Sequence, residues 1–163
     1  MPKAWFALRT RSRAEKSVRD QLELKGFEAF LPTHARWSRW KDRAKVVDWP
    51  LFPGYCFARF DPPEWLAVVN CRGVARILSF GEAFAAIPDQ EIESLQRLVA
   101  SELDCEPSTT IPAGSMVEVV QGPLKGAIGR LVRRGKHARI VLAVDLIGRA
   151  VSVEVDASAV RPY

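Results

Sequence analysis

The arrangement of apolar residues changes once along this chain, near residue 101, and the change limits what it can fold into. Up to that point, runs of helical period alternate with short runs dense in aromatic and β-branched residues. Beyond it the helical period is gone. "VEVVQ", "RIVLAV" and "AVSVEV" alternate, with glycines between them every eight to twelve residues, which is the pattern of short strands joined by turns. At the change itself, "ELDCEPSTTIPAG" holds prolines, Ser, Thr and acidic residues without a periodic apolar position, and reads as a linker. The expected organisation is an α+β region at 1–101, a linker at 102–113 and a small all-β barrel at 114–163. A barrel of about 50 residues is near the lower limit for folding alone.

Within the first region, "AWFAL" reads as a strand and the segment after it as a helix. Ser12 and Glu15 have capping-box spacing, Ala14, Val18 and Leu22 form one apolar stripe, and Gly26 suits the left-handed residue that ends a helix. "FEAFLPTHARW" reads as a strand, "SRWKDRAK" as a basic hairpin tip, and "VVDWPLFPGYCFARF" as one or two returning strands. Asp61, Pro62 and Glu64 open a short helix, "GVARILSF" is a further strand, and Asp89 caps a helix with Ile92, Leu95, Leu98 and Val99 inward. The order β-α-β-β-α-β-α suits a mainly antiparallel sheet with helices on it.

Little here supports enzyme chemistry. Cys56, Cys71 and Cys105 are widely spaced, His34 and His137 are isolated, and no nucleophile elbow, Walker loop or HExxH motif occurs. No metal or cofactor is implied. No apolar run approaches the ~18 residues of a membrane span and the N-terminus lacks a signal-peptide pattern, so a cytoplasmic location without membrane partners is expected. The net charge of +5 is unevenly spread. Residues 1–46 carry twelve Lys/Arg against five Asp/Glu, whereas residues 47–163 carry twelve against fourteen. A positive field concentrated in the first third suits a polyanion such as nucleic acid, and equally suits a solvated helix and hairpin.

"WPLFPGYCF" (49–57) is apolar enough for a buried strand, yet carries two prolines and a glycine. Pro50 and Pro53 remove ladder donors and suit an edge or a strand entry, while Gly54 allows a bend. Phe52 and Tyr55, around that bend, are expected to lie partly exposed.

These residues carry a resemblance. The opening "WF", "FPGY" (52–55), "GVARILSFG" and, after the linker, "VEVVQGPLKGAIGRL" with its KOW-like glycines are together similar to the NusG family of transcription elongation factors, along nearly the whole chain. "PLFPGYCFARFDP", "RGV" (72–74) and the basic hairpin resemble the specialised RfaH and UpxY groups, which act on selected operons such as polysaccharide loci. The resemblance implies an NGN-type α/β sandwich followed by a KOW barrel of SH3-like form, and a monomeric elongation and antitermination factor. An apolar surface including Phe52, Pro53, Tyr55 and Phe80 would grip the clamp helices of the largest RNA polymerase subunit. Arg11, Lys16 and Arg72 would contact the non-template DNA strand.

The hairpin leaves two readings open. Trp37 and Trp40 could stack on bases while Arg39, Lys41, Arg43 and Lys45 neutralise phosphates, or the rings could brace the hairpin and the charges solubilise it. Leu124 and Ile147 are candidates for a barrel surface that meets a ribosomal protein or Rho, or else for barrel packing. The family's aromatic at the position of Ile147 is absent. A protein that uses its KOW barrel on ribosomal RNA is the alternative function. The β-branched, alternating last third argues for strands there, against a helical hairpin.

Overall fold

The computed structural model describes residues 2–40 and 43–163, with the side chains of 36–40, 43–46 and 134 left out of the description. β1 (Ala4–Thr10) leads into α1 (Glu15–Leu24), β2 (Glu28–Phe30), a hairpin of β3 (Thr33–Trp40) and β4 (Arg43–Pro50), and β5 (Tyr55–Phe60). Next come the short helix α2 (Trp65–Val69), β6 (Val74–Ile77), a small hairpin of β7 (Ser79–Phe80) and β8 (Ala83–Phe84), β9 (Ala86–Ile87) and α3 (Asp89–Ser101). The last third is β10 (Cys105–Ser108), β11 (Ser115–Val119), β12 (Ile128–Arg134), β13 (His137–Val144), β14 (Arg149–Asp156) and β15 (Val160–Pro162).

The first sheet has the order β2-β5-β1-β6, with β9 also on β1; the second has the order β10-β14-β13-β12-β11-β15. All these pairings are antiparallel. The chain is thus a mixed α/β protein with antiparallel sheets and few helices.

Strand periodicity explains why "WFAL" and "YCFARF" read as continuous apolar runs. Side chains alternate between the two faces of a sheet, and here both faces are covered. Phe6, Leu8, Cys56, Ala58 and Phe60 pack on one side with Val18 and Leu22 of α1 and Val68 of α2. Trp5, Ala7 and Phe57 face the other way, into a cluster with Ile92, Leu95 and Leu98 of α3. That second cluster continues into the second sheet through Val117, Ile140, Leu142 and Val151. Burying an aliphatic or aromatic side chain of this size stabilises the fold by about 1.5–3 kcal/mol. α3 therefore lies between the two sheets.

Four local expectations need correction. The Ser12–Glu15 capping box does not form. Arg13 takes a positive φ of 62°, the helix starts only at Glu15, and the position before it is Ala14, which has no side-chain acceptor. Glu15 is buried, and its carboxylate accepts from the Gly54 N–H at 2.8 Å. Asp89 is the first residue of α3 and not its cap, Pro88 standing before it. The expected linker contains β10, which pairs with β14 from Cys105↔Val153 to Ser108↔Ala150. An edge strand tolerates Pro107 and needs no apolar alternation, so it left no strand signal. The basic hairpin also pairs further than expected, out to Trp40↔Arg43. Gly26 does take the left-handed conformation after α1, at φ 86°. No described helix is long and apolar enough to cross a membrane.

Candidate docking and nucleic-acid surfaces

The segment "FPGY" is a tight turn. The Tyr55 N–H donates to the Phe52 carbonyl at 3.1 Å, with Pro53 and then Gly54 at φ 88° between them. Proline followed by a residue of positive φ is the pattern of a type II turn. A Cβ on Gly54 would also lie 2.8 Å from the Arg9 guanidinium. The turn is tied down twice more, by the Thr10 N–H to the Gly54 carbonyl at 2.8 Å and by the Gly54 N–H to Glu15. It is therefore a rigid platform between the end of β1 and the start of α1.

The two rings of the turn have different fates. Phe52, expected at the surface, is only 1% exposed and meets Phe57 edge-on at 6.5 Å. The reason is geometric. As the first residue of the turn, Phe52 is drawn inward with Leu51, whose N–H donates to the Pro32 carbonyl at 2.8 Å. Tyr55, on the far side of the turn, is half-buried, and Pro53 is exposed. The Arg9 guanidinium lies 4.9 Å from the Tyr55 ring centroid, and Arg149 of β14 lies 5.9 Å from it. Both are within the range of a cation–π contact. The second sheet thus reaches over the platform and touches its half-exposed ring.

The rest of that junction runs along α3. At 3.6 residues per turn, Gln90, Ser94 and Arg97 of α3 share one face, Glu91 flanks it beside Leu95 and Leu98, and Ile92 and Val99 lie on the far side. Ser94 Oγ accepts from the Ile128 N–H at 3.0 Å, and Gln90 Oε1 accepts from the Tyr163 hydroxyl at 3.2 Å. Arg97 passes so close to Gly126 (φ 96°) that a Cβ there would sit 2.9 Å from its Nε. Glu91 faces the turn after β13. Burial there, and next the negative charge of Asp145, push its carboxyl up to about 7, against the Asp145 N–H and Arg130, which pull it down. Burial likewise pushes the Cys56 thiol up to about 12, as suits a core residue.

Arg11, Lys16 and Arg72 are all exposed at one end of the first sheet. The Arg11 N–H donates to the Gly73 carbonyl at 2.7 Å, while Gln21 holds the Arg72 backbone through two 2.8 Å bonds. Lys16 is in the first turn of α1. Trp37, Arg39 and Trp40 belong to β3 and Arg43 and Lys45 to β4, but their side chains lie outside the description, and Lys41 lies outside the described residues. Phe80 stands 73% exposed on β7. Leu124 and Ile147, candidates for a barrel contact surface, are 1% and 7% exposed. Both belong to the apolar cluster of the second sheet, so packing accounts for them. A cleft of about 1300 Å³ between β3–β4, the end of α3 and β14 carries Asp48, Glu102, Asp104, Glu106 and Glu154 beside Arg139, which is paired with Glu154 at 2.8 Å, so acidic groups predominate there.

A family model described as "Transcription termination factor nusG" matches residues 3–96, more than half of the chain. The chain belongs to the NusG family. The transcription termination/antitermination protein NusG of Helicobacter pylori (strain J99) is 24% identical over 93% of each chain. That of Treponema pallidum is 29% identical over 96% of each. Among solved structures, one titled "Domain interaction in Thermotoga maritima NusG" matches at 21% identity with a TM-score of 0.57, over 99% of this chain and 98% of that one, which extends the shared fold to both sheets.

Arg149, Glu91, Ser94, Arg97 and Tyr163 were not singled out in the sequence of this NusG-family chain. Polar residues on a helix face ordinarily signal solvent. The one usable sign was that Gln90, Ser94 and Arg97 recur at helical spacing away from Ile92, Leu95 and Val99, yet that pattern is the same for water and for a polar partner.

Proposed function

We propose that this protein is a transcription elongation and antitermination factor in which residues 1–101 bind RNA polymerase and 114–163 form a KOW domain. The polymerase contact is the clamp helices of its largest subunit, through Tyr55, Pro53 and Phe80 on the outside of the Pro-Gly turn, with Phe52 supporting them from beneath. Arg11, Lys16 and Arg72 meet the non-template strand, with the basic hairpin beside them. Holding polymerase at the clamp and at DNA disfavours its opened, paused state, and a differential affinity of ~1–3 kcal/mol for the closed state is enough to matter. No group in the chain has to do chemistry for this. "PLFPGYCFARFDP" and the hairpin favour the specialised branch, serving selected operons; a ribosomal protein or Rho, the partners of housekeeping members, are the candidates for the KOW domain.

The observation that carries this reading is the rigid turn that presents Tyr55 half-exposed in a chain matching the family over 3–96. Arg149 lies against the same ring, so docking requires the second sheet to move aside. Tyr55→Ala tests it: polymerase affinity should fall at least about tenfold, as for an aromatic anchor, with a thermal midpoint within a few degrees of the parent. Unchanged affinity, or recovery of ribosomal RNA in place of polymerase from the purified complex, would overturn the reading.

A further inference from the structure

We propose that Glu91 is a proton-operated latch between α3 and the second sheet: as the neutral acid it lets the two stay together, and as the carboxylate it drives them apart. The inference concerns the contact between the two halves of the molecule and stands whether or not polymerase is the partner.

The geometry is that of a carboxyl trapped at a junction. Glu91 sits in the first turn of α3, on the face that meets the second sheet, and is half-buried there. Its Oε1 is buried and has no hydrogen-bond partner among the described residues. The turn after β13 presents Asp145, whose carboxylate is like-charged and whose N–H favours the ionised form of Glu91. β12 presents Arg130, but that guanidinium is already paired with Asp145 at 3.6 Å. From the C-terminus Tyr163 bonds Gln90, the neighbouring residue. From β1 and β14, Arg9 and Arg149 lie on the Tyr55 ring. A carboxylate with one oxygen buried and unpaired, beside another carboxylate, is costly; the neutral acid removes the repulsion and most of the desolvation.

When the second sheet moves away, that helix face meets water and the carboxyl returns to its ordinary range near 4.5. The joined state therefore holds an extra proton between about 4.5 and about 7. Its stabilising effect is complete below that range and is lost as pH rises through about 7. One proton changes an equilibrium at most tenfold per pH unit, so across the range the joined state weakens on the order of a hundredfold.

The experiment is a carboxyl-carbon NMR titration of Glu91 in the full chain, together with hydrogen exchange of the Ile128 N–H from pH 5 to 8. Exchange is corrected for its intrinsic pH dependence and compared with that of Val18 in α1. The expected results are a Glu91 midpoint near 7 and an Ile128 opening that rises with pH while Val18 does not. Glu91→Gln should remain joined and flat across the range. Should that variant fail to fold, Asp145→Asn serves, and should move the Glu91 midpoint toward its ordinary range. A midpoint below about 5 overturns the proposal. So does a pH response that survives in Glu91→Gln.

Discussion

α1 and α3 cover opposite faces of one sheet, yet they are built differently. α1 buries Val18 and Leu22 as its apolar stripe, with Glu15 at its start, and leaves Lys16, Asp20 and Glu23 in water. α3 is covered twice. Ile92 and Leu95 sit in the cluster with Trp5 and Phe57, while Gln90, Glu91, Ser94 and Arg97 meet the second sheet. The α1 junction is mainly apolar, and parting it would expose hydrocarbon and break the bond its buried carboxylate accepts there, from the Gly54 N–H to Glu15. The outer junction of α3 also carries apolar contact, but it is studded with groups that water can satisfy equally well. Contacts between domains of one chain commonly have this more polar character and move more readily. The apolar junction of α1 with the first sheet and the more polar junction of α3 with the second thus differ in how readily they can part.

That contrast can be broken by mutation, with the largest effect expected at the deepest point. Phe52→Ala removes a ring from the shared cluster and should lower the unfolding free energy by about 3–5 kcal/mol in urea titrations; a loss below about 1 kcal/mol would show the ring to be peripheral. Ser94→Ala orphans the Ile128 N–H and should cost about 1–3 kcal/mol. Its sharper sign is local: exchange at Ile128 rises while Val18 and Leu22 stay protected. If all three rise together, the halves unfold as a unit and the contrast fails. Arg149→Ala removes one cation–π partner of Tyr55, worth about 0.5–1 kcal/mol. It should raise opening at Ile128 only a few-fold, and polymerase affinity by no more than the same factor.

Much of this architecture was legible in the sequence, and the failures have physical causes. The stripe of α1, the inward residues of α3 and the strands of the last third followed from periodicity because apolar burial decides them. The Pro-Gly turn was legible because only glycine readily takes Gly54's φ. Which ring it would expose was not, since a turn fixes backbone direction and leaves the packing of Phe52 to distant residues such as Phe57. Glu15 likewise had a local partner in Ser12 and took a tertiary one in Gly54. The site suffered most. Its decisive contacts join residues some 34 to 94 positions apart, from Ser94–Ile128 to Tyr55–Arg149, and local pattern cannot report them.

The edge strand β10 governs how far the halves can travel. While it is paired to β14, only residues 102–104 connect α3 to the second sheet, a leash of about 10 Å at full stretch. Peeling β10 away would free the whole stretch 102–114 and lengthen the leash to about 45 Å. Four residues of strand pairing thus set the radius within which the last third of the chain can search for something else to hold.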